Sequence, residues 1–307
     1  MHFIISLSAL VALATCAPIQ QTIQNLKDTP ATRYSSDFTR DIFVKKIHSH
    51  NDYWRDVPLY DALSYGVQSV EADVWYFGNG DDTLYVGHHD AALGPARTFA
   101  SLYINPLVEI LTQANPVNEF TSGQKSPYGV FDTSSSDTLY LFVDLKTDGN
   151  TTWPIVEKAL EPLREKGWLT EFNGTDIVTG PVTVIGTGNT PYEYVSSQTT
   201  RDYFYDGPLA TLNDSYPATL NPIASASLSN VVGIKDKNEI GIDGLNEEQY
   251  AKLNSTIQTA HSQGCLTRIW DVDWWPVARR DALWRQIIAS GSDFLNADDL
   301  ELASTFV

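Results

Sequence analysis

The sequence predicts an α/β fold, a TIM-type (β/α)8 barrel in a single domain, on three observations. Short apolar runs alternate with helical stretches from Phe43 onward, an order that implies a parallel sheet with helices on its faces. Around eight such units in roughly 260 residues fit a closed barrel better than an open sheet. Hydrophobic residues make up 42% of the 307, enough to fill a core of that size.

The elements follow in chain order. Phe3 to Ala14 form an apolar run (FIISLSALVALA), followed by the small residues Thr15, Cys16 and Ala17. That run is too short to span a bilayer and no stop-transfer pattern follows, so residues 1–17 read as a signal peptide. Cleavage is expected after Cys16 or Ala17, giving a secreted protein with no integral membrane segment. It would leave Cys265 as the lone cysteine, with no internal disulfide. Four acceptor triplets agree with secretion: Asn150-Thr-Thr, Asn173-Gly-Thr, Asn213-Asp-Ser and Asn254-Ser-Thr. Residues 18–41 are polar and read as a loosely ordered lead-in, with the barrel domain over 42–307.

Strands are expected over 43–50, 69–77, 84–88, 138–146, 181–187, 223–228, 265–272 and 292–296. Their β-branched and aromatic content and bounding Gly, Asn or Asp residues support this. Helices are expected over 58–65, 99–113, 152–166, 247–262 and 277–290. In the fourth, Tyr250, Leu253 and Ile257 share one face, and Gly264 stands at the position that ends a helix. The stretch 192–246 shows little periodicity. The chain carries 38 acidic and 20 basic residues, a net charge of −18. That balance argues against nucleic acid or an anionic membrane as partner. It leaves a phosphate substrate open, because a bound cation reverses the field locally. No protein partner is inferable.

Four segments carry residues suited to chemistry. His48 and His50 stand two apart at the end of an apolar strand and face one way. Glu71 and Asp73, in Ser69-Val-Glu71-Ala-Asp73, point to one side of a strand that reads as buried. Two unpaired buried carboxylates are costly; a divalent cation or a pairing Lys or Arg resolves that cost. An oxygen-rich site suits Mg²⁺ first and Ca²⁺ second. A third apolar run ends in His88 and His89, and a fourth carries Asp144 and Lys146 on one face. Asp144 completes a three-carboxylate site, and Lys146 is placed to meet a phosphate oxygen. Together they suit metal-assisted phosphoryl chemistry, with imidazoles moving protons.

The string HSHNDYWRDVPLYDALSYGVQSVEADVW, followed by LYVGHHDAALGPARTFASLYINPLVEIL, closely resembles the altered inheritance of mitochondria protein 6 family of fungal and bacterial proteins. The resemblance continues at LFVDLKT (141–147), TRIWDVDWWP (267–276) and GSDFLNADDLEL (291–302). That family belongs to the phospholipase C-like phosphodiesterase superfamily, with glycerophosphodiester phosphodiesterases and the spider-venom sphingomyelinase D enzymes. The resemblance implies His50 and His88 as the catalytic pair and Glu71 and Asp73 as metal ligands. It implies Asp144 as the third ligand, Lys146 as the phosphate-binding lysine, and Trp270 as an aromatic residue lining the substrate. His88 is preferred to His89 because Val86-Gly87-His88 matches the family's Val-small-His pattern; His48 stays an alternative to His50. Two features depart from the relatives: His50-Asn51-Asp52 replaces the His-Arg-Gly of glycerophosphodiesterases, and Asp144 stands where many use Glu. Both bear on the substrate more than on the chemistry.

The function expected is therefore cleavage of a glycerophosphodiester or phospholipid head-group ester, by water or by a substrate hydroxyl that forms a cyclic phosphate. A catalytically silent binding protein on the same barrel is the alternative, and a missing ligand or histidine would mark it. A carboxylate-pair glycosidase, with Trp274 and Trp275 stacking on sugar, has no use for Asp144, Lys146 and two strand-end histidines.

Overall fold

The computed structural model describes residues 18–27, 29, 32, 38–78 and 80–307. The expected signal peptide and Cys16 lie outside these residues. Within the lead-in, Ile19–Leu26 forms a helix that buries no side chain.

Nine parallel strands make a nearly closed barrel, in keeping with the predicted TIM-type class. They are β1 (Lys45–Ser49), β2 (Val67–Trp75), β3 (Leu139–Leu145), β4 (Val182–Gly188), β5 (Phe204–Tyr205), β6 (Gly207–Pro208), β7 (Ile223–Ser227), β8 (Leu266–Trp270) and β9 (Phe294–Ala297). The hydrogen-bonded order runs β5-β4-β3-β2-β1-β9-β8-β7-β6. Its two edges, β5 and β6, are separated in sequence by Asp206 alone, so one chain segment spans the seam. Eight staves therefore carry nine strands. Residues 192–246 resisted pattern reading because their strands are this short and interrupted.

Burial follows from the architecture. β2 is buried on both faces along nearly its whole length, as expected for a parallel strand covered by helices outside and side chains inside. Phe142, Ile185, Phe204, Ile223 and Phe294 fill the barrel interior. A larger apolar layer lies between strands and helices, including Val70, Ala72, Leu107, Leu141 and Val184.

The helices fall near their expected places. Glu247–Ser262 is capped by Asn246, whose side chain accepts from Gln249 N while Gln249 answers on the Asn246 N–H. Leu253 and Ile257 are buried, and Gly264 takes a φ of +81° just past the end. There the Cys265 N–H reaches back to Ala260 O at 3.0 Å. The helix expected over 152–166 starts earlier, at Gly149, because Asp148 caps it by accepting from Thr151 N. It also breaks after Ala159, and a second short helix, Glu161–Arg164, carries Pro162 in its first turn. The helix over 99–113 opens as a π-turn, Ala100–Ile104, before Asn105–Ala114.

One strand differs in kind from the expectation. The run over 84–88 shrinks to Tyr85–Val86, and it pairs antiparallel with β2 off the barrel path. The chain doubles back on β2 directly after it, so His88 reaches the mouth from a returning hairpin and not from a barrel stave. Among the described residues, no helix is long and apolar enough to cross a membrane.

Phe142 is fully buried, edge-on to His48 at 4.9 Å and under the Arg268 guanidinium at 4.6 Å. Phe142→Ala is expected to cost about 3–5 kcal/mol through the cavity it leaves. Urea unfolding of the purified variant checks this.

Candidate active site at the barrel mouth

Parallel strands bring all their C-terminal ends to one face, which is where (β/α)8 barrels assemble reactive groups. In register, Asp73 of β2 lies beside Asp144 of β3, and Asp144 lies beside Thr187 of β4. Glu71 is two residues back on the same face as Asp73. Single carboxylate oxygens of Glu71, Asp73 and Asp144 lie within 4.8 Å of one another. Gly188 makes room for the third: a Cβ there would stand 2.0 Å from Asp144 Oδ1.

Each carboxylate is held by different means. Lys146 Nζ donates to Asp144 Oδ2 at 2.8 Å and lies 2.9 Å from Asp73 Oδ2. The Tyr53 hydroxyl also donates to Asp73 Oδ2, at 2.6 Å. Asp73 Oδ1 is buried and has no hydrogen-bond partner. Glu71 Oε2 accepts from Asn51 N at 3.0 Å, while Arg268 Nη1 stands 3.5 Å from Oε1. An unpartnered buried carboxylate oxygen facing two further carboxylates suits a hard divalent cation. The trio is therefore a group able to bind a metal, as the oxygen-rich pattern implied. The pairing cations that formed the alternative are present as well, in Lys146 and Arg268.

Electrostatics reflect this crowding. Burial, reinforced by Glu71 and Asp144, pushes the Asp73 pKa up to about 7 despite Lys146 and Tyr53. Burial likewise raises Asp144, against the pull of Lys146. Burial works on Glu71 in the same direction, yet the Arg268 charge, with His50 beside it, outweighs it and holds its carboxyl well below the usual range.

The histidines separate clearly. His48 is fully buried on β1. Arg268 Nη1 lies 2.7 Å from its Nε2, and a guanidinium can only donate, so Nε2 accepts. Nδ1 then carries the proton and donates to Ser69 Oγ at 2.7 Å. Burial and the Arg268 charge lower the His48 pKa to about 3, keeping the ring neutral. It is a tether inside the barrel. His50, with 31% of its side chain exposed, lies at the mouth with Nε2 3.8 Å from Glu71 Oε2 and Nδ1 2.9 Å from Asp298 Oδ1. Burial opposes its charge, but the Asp298 hydrogen bond and Glu71 raise its pKa. His88 stands across the trio, its Nδ1 3.5 Å from Asp73 Oδ2 and 3.3 Å from the Tyr53 hydroxyl. His89 touches His88 edge-on at 6.1 Å and is exposed.

Thus His50, Glu71, Asp73, His88, Asp144 and Lys146 come together at one mouth. Trp270 ends β8 and lines a neighbouring cleft of about 480 Å³ with Ser225 and Asn230. A second cleft, about 330 Å³, runs from His50 past Asp273 and Trp274 to Asp298. Sequence reasoning missed Arg268, Tyr53 and Asp298. Arg268 sits inside the apolar run of β8, where a lone charged residue was the available signal. Of the acceptor asparagines, Asn150, Asn173 and Asn213 are exposed, whereas Asn254 is half-buried within a helix.

The chain matches the model of the AIM6-like phosphodiesterase domain over residues 36–206. It is 45% identical to the altered inheritance of mitochondria protein 6 homolog of Arthroderma benhamiae, over 98% of this chain and 95% of that one. Identity to altered inheritance of mitochondria protein 6 of Eremothecium gossypii is 37%, over 90% of this chain and 73% of the relative. For the protein of that name from Saccharomyces cerevisiae strain RM11-1a it is 34%, over 95% and 75%.

Removing one partner of a buried charge is severe, because the other is left uncompensated. Arg268→Met is expected to lose about 3–5 kcal/mol, read as a lowered urea midpoint. Gly188→Ala, at a φ of +62° and against Asp144, should cost about 1–3 kcal/mol and lower divalent-metal affinity measured by calorimetry.

Proposed function

The chain belongs to the family of AIM6-like phosphodiesterase domains, and from that premise we propose that it is a secreted, metal-dependent phosphoric diester hydrolase. The observation that carries the reading is the carboxylate trio with a buried, unpartnered Asp73 Oδ1, flanked by His50 and His88. A divalent cation held by Glu71, Asp73 and Asp144, Mg²⁺ before Ca²⁺ on these oxygen donors, would supply Lewis-acid polarisation of a phosphoryl oxygen.

The remaining work falls to side chains. His50 donates Nδ1–H to Asp298, which fixes the ring and turns Nε2 toward the trio. One imidazole accepts the proton of the attacking oxygen as its bond to phosphorus forms. The other returns a proton to the departing alkoxide as the old P–O bond breaks. Lys146, poised between Asp73 and Asp144, offsets negative charge on the phosphoryl oxygens. The substrate class is a glycerophosphodiester or phospholipid head-group ester. The attacking oxygen belongs to water or to a substrate hydroxyl, and the second route gives a cyclic phosphate. Trp270, at the end of β8, would line the alcohol portion.

Secretion is read from the N-terminal leader. A mature protein beginning at Ala17 or Pro18 agrees with it, and one that retains Met1 overturns it.

Phosphorus NMR on glycerophosphodiesters and a lysophospholipid tests the chemistry and separates hydrolysis from cyclisation. Glu71→Gln and Asp144→Asn are expected to lose turnover and bound metal together. His50→Ala should lose about 10²–10⁴-fold in rate while keeping the metal. Full activity in EDTA-stripped protein, or no product from any diester, would overturn the proposal.

A further inference from the structure

The eight tryptophans of this chain divide by location. Trp153, Trp168 and Trp284 are buried at 0%, 5% and 3% exposure, and the Trp75 indole donates to Gly87 O at 2.7 Å. The four with large exposure are Trp54 at 55%, Trp270 at 38%, Trp274 at 75% and Trp275 at 64%. All four stand at the mouth. Trp54 closes the turn after β1 and meets the His88 ring edge-on at 5.7 Å; Trp270 ends β8, and Trp274 and Trp275 follow in its loop. Phe77, just past β2, is also exposed and stacks on Trp75. Three separate strand-end loops thus present wide aromatic surface around one opening.

A packed core does not need these rings, and a small polar substrate does not need so many of them. Indole is apolar over its faces and carries one polar N–H, a combination that favours the headgroup level of a lipid layer. Charge narrows the kind of lipid. The rim beside His50 carries Asp271, Asp273, Asp298 and Asp299 against Lys237 and Arg280, on a chain of net charge −18. An anionic bilayer repels such a rim. Zwitterionic headgroups place an ammonium outermost, which complements carboxylates and the faces of indole rings.

We propose that this aromatic rim docks on a lipid surface of zwitterionic, ammonium-bearing headgroups, with the barrel mouth facing the layer. The purpose of docking rests on the phosphodiester reading, but binding is read without turnover, so either can fail alone.

The experiment is sedimentation of the full chain with phosphatidylcholine vesicles, alongside tryptophan quenching by brominated phosphatidylcholine. Binding is expected to persist in high salt and to weaken when about a third of the lipid is replaced by phosphatidylglycerol. Trp275→Ala combined with Phe77→Ala should weaken partitioning by about tenfold. Circular dichroism and an unchanged unfolding midpoint confirm that this variant folds; should it not, quenching of the wild-type indoles decides alone. Absence of binding, binding strengthened by the anionic lipid, or unquenched indoles overturns the proposal. So does a dimer in analytical ultracentrifugation that the double variant dissolves while vesicles stay unbound.

Discussion

Charge balance inside the barrel mouth is the constraint on which the rest depends. Glu71, Asp73, Asp144 and Asp206 are four carboxylates at or beneath the mouth, against two fixed cations, Arg268 and Lys146. Arg268 lies 3.5 Å from both Glu71 and Asp206, and its Nε donates to Ser225 Oγ at 2.9 Å. A buried guanidinium is tolerable only when acceptors surround it, and buried acids only when a cation meets them. Each side thus stabilises the other. The acids outnumber the cations, and this crowding is felt as a pull on protons: burial first, then neighbouring carboxylates, lift Asp73 to about 7, and burial lifts Asp206 to about 6 against the Arg268 charge.

That balance explains why two histidines two residues apart have opposite characters. His48 points into the barrel, where Arg268 occupies its acceptor nitrogen and Phe142 covers its ring. His50 points to the mouth, where Asp298 takes its Nδ1 proton. The backbone changes direction just past His50: Asn51 adopts a φ of +49°, and its N–H turns to Glu71. The same turn delivers Tyr53 to Asp73 and Trp54 to the rim. A single strand end therefore supplies a buried tether, an imidazole at the mouth, a carboxylate clamp and an exposed indole.

Much of this was legible from residue order. Strand-end positions, the Glu71/Asp73 and Asp144/Lys146 spacings, and the capped helix over Glu247–Ser262 follow from periods of two and of 3.6, which are local properties. The third candidate strand misled, because an apolar run ending in histidine reads alike whether it joins the barrel or folds back antiparallel. Asp206 escaped notice since the two-residue strands on either side carry no periodicity. Arg268 escaped because its partners, His48, Glu71 and Asp206, lie far from it in sequence.

By itself, then, the order of amino acids determined the alternation of strands and helices, and hence which side chains stand at strand ends. Backbone geometry and hydrophobic periodicity act over a few residues and need no distant partner. Only the tertiary structure decided which cation answers which carboxylate, which histidine is buried, and that every exposed tryptophan surrounds one opening. Those outcomes depend on strand register and barrel closure, which bring together residues as remote as His48 and Arg268.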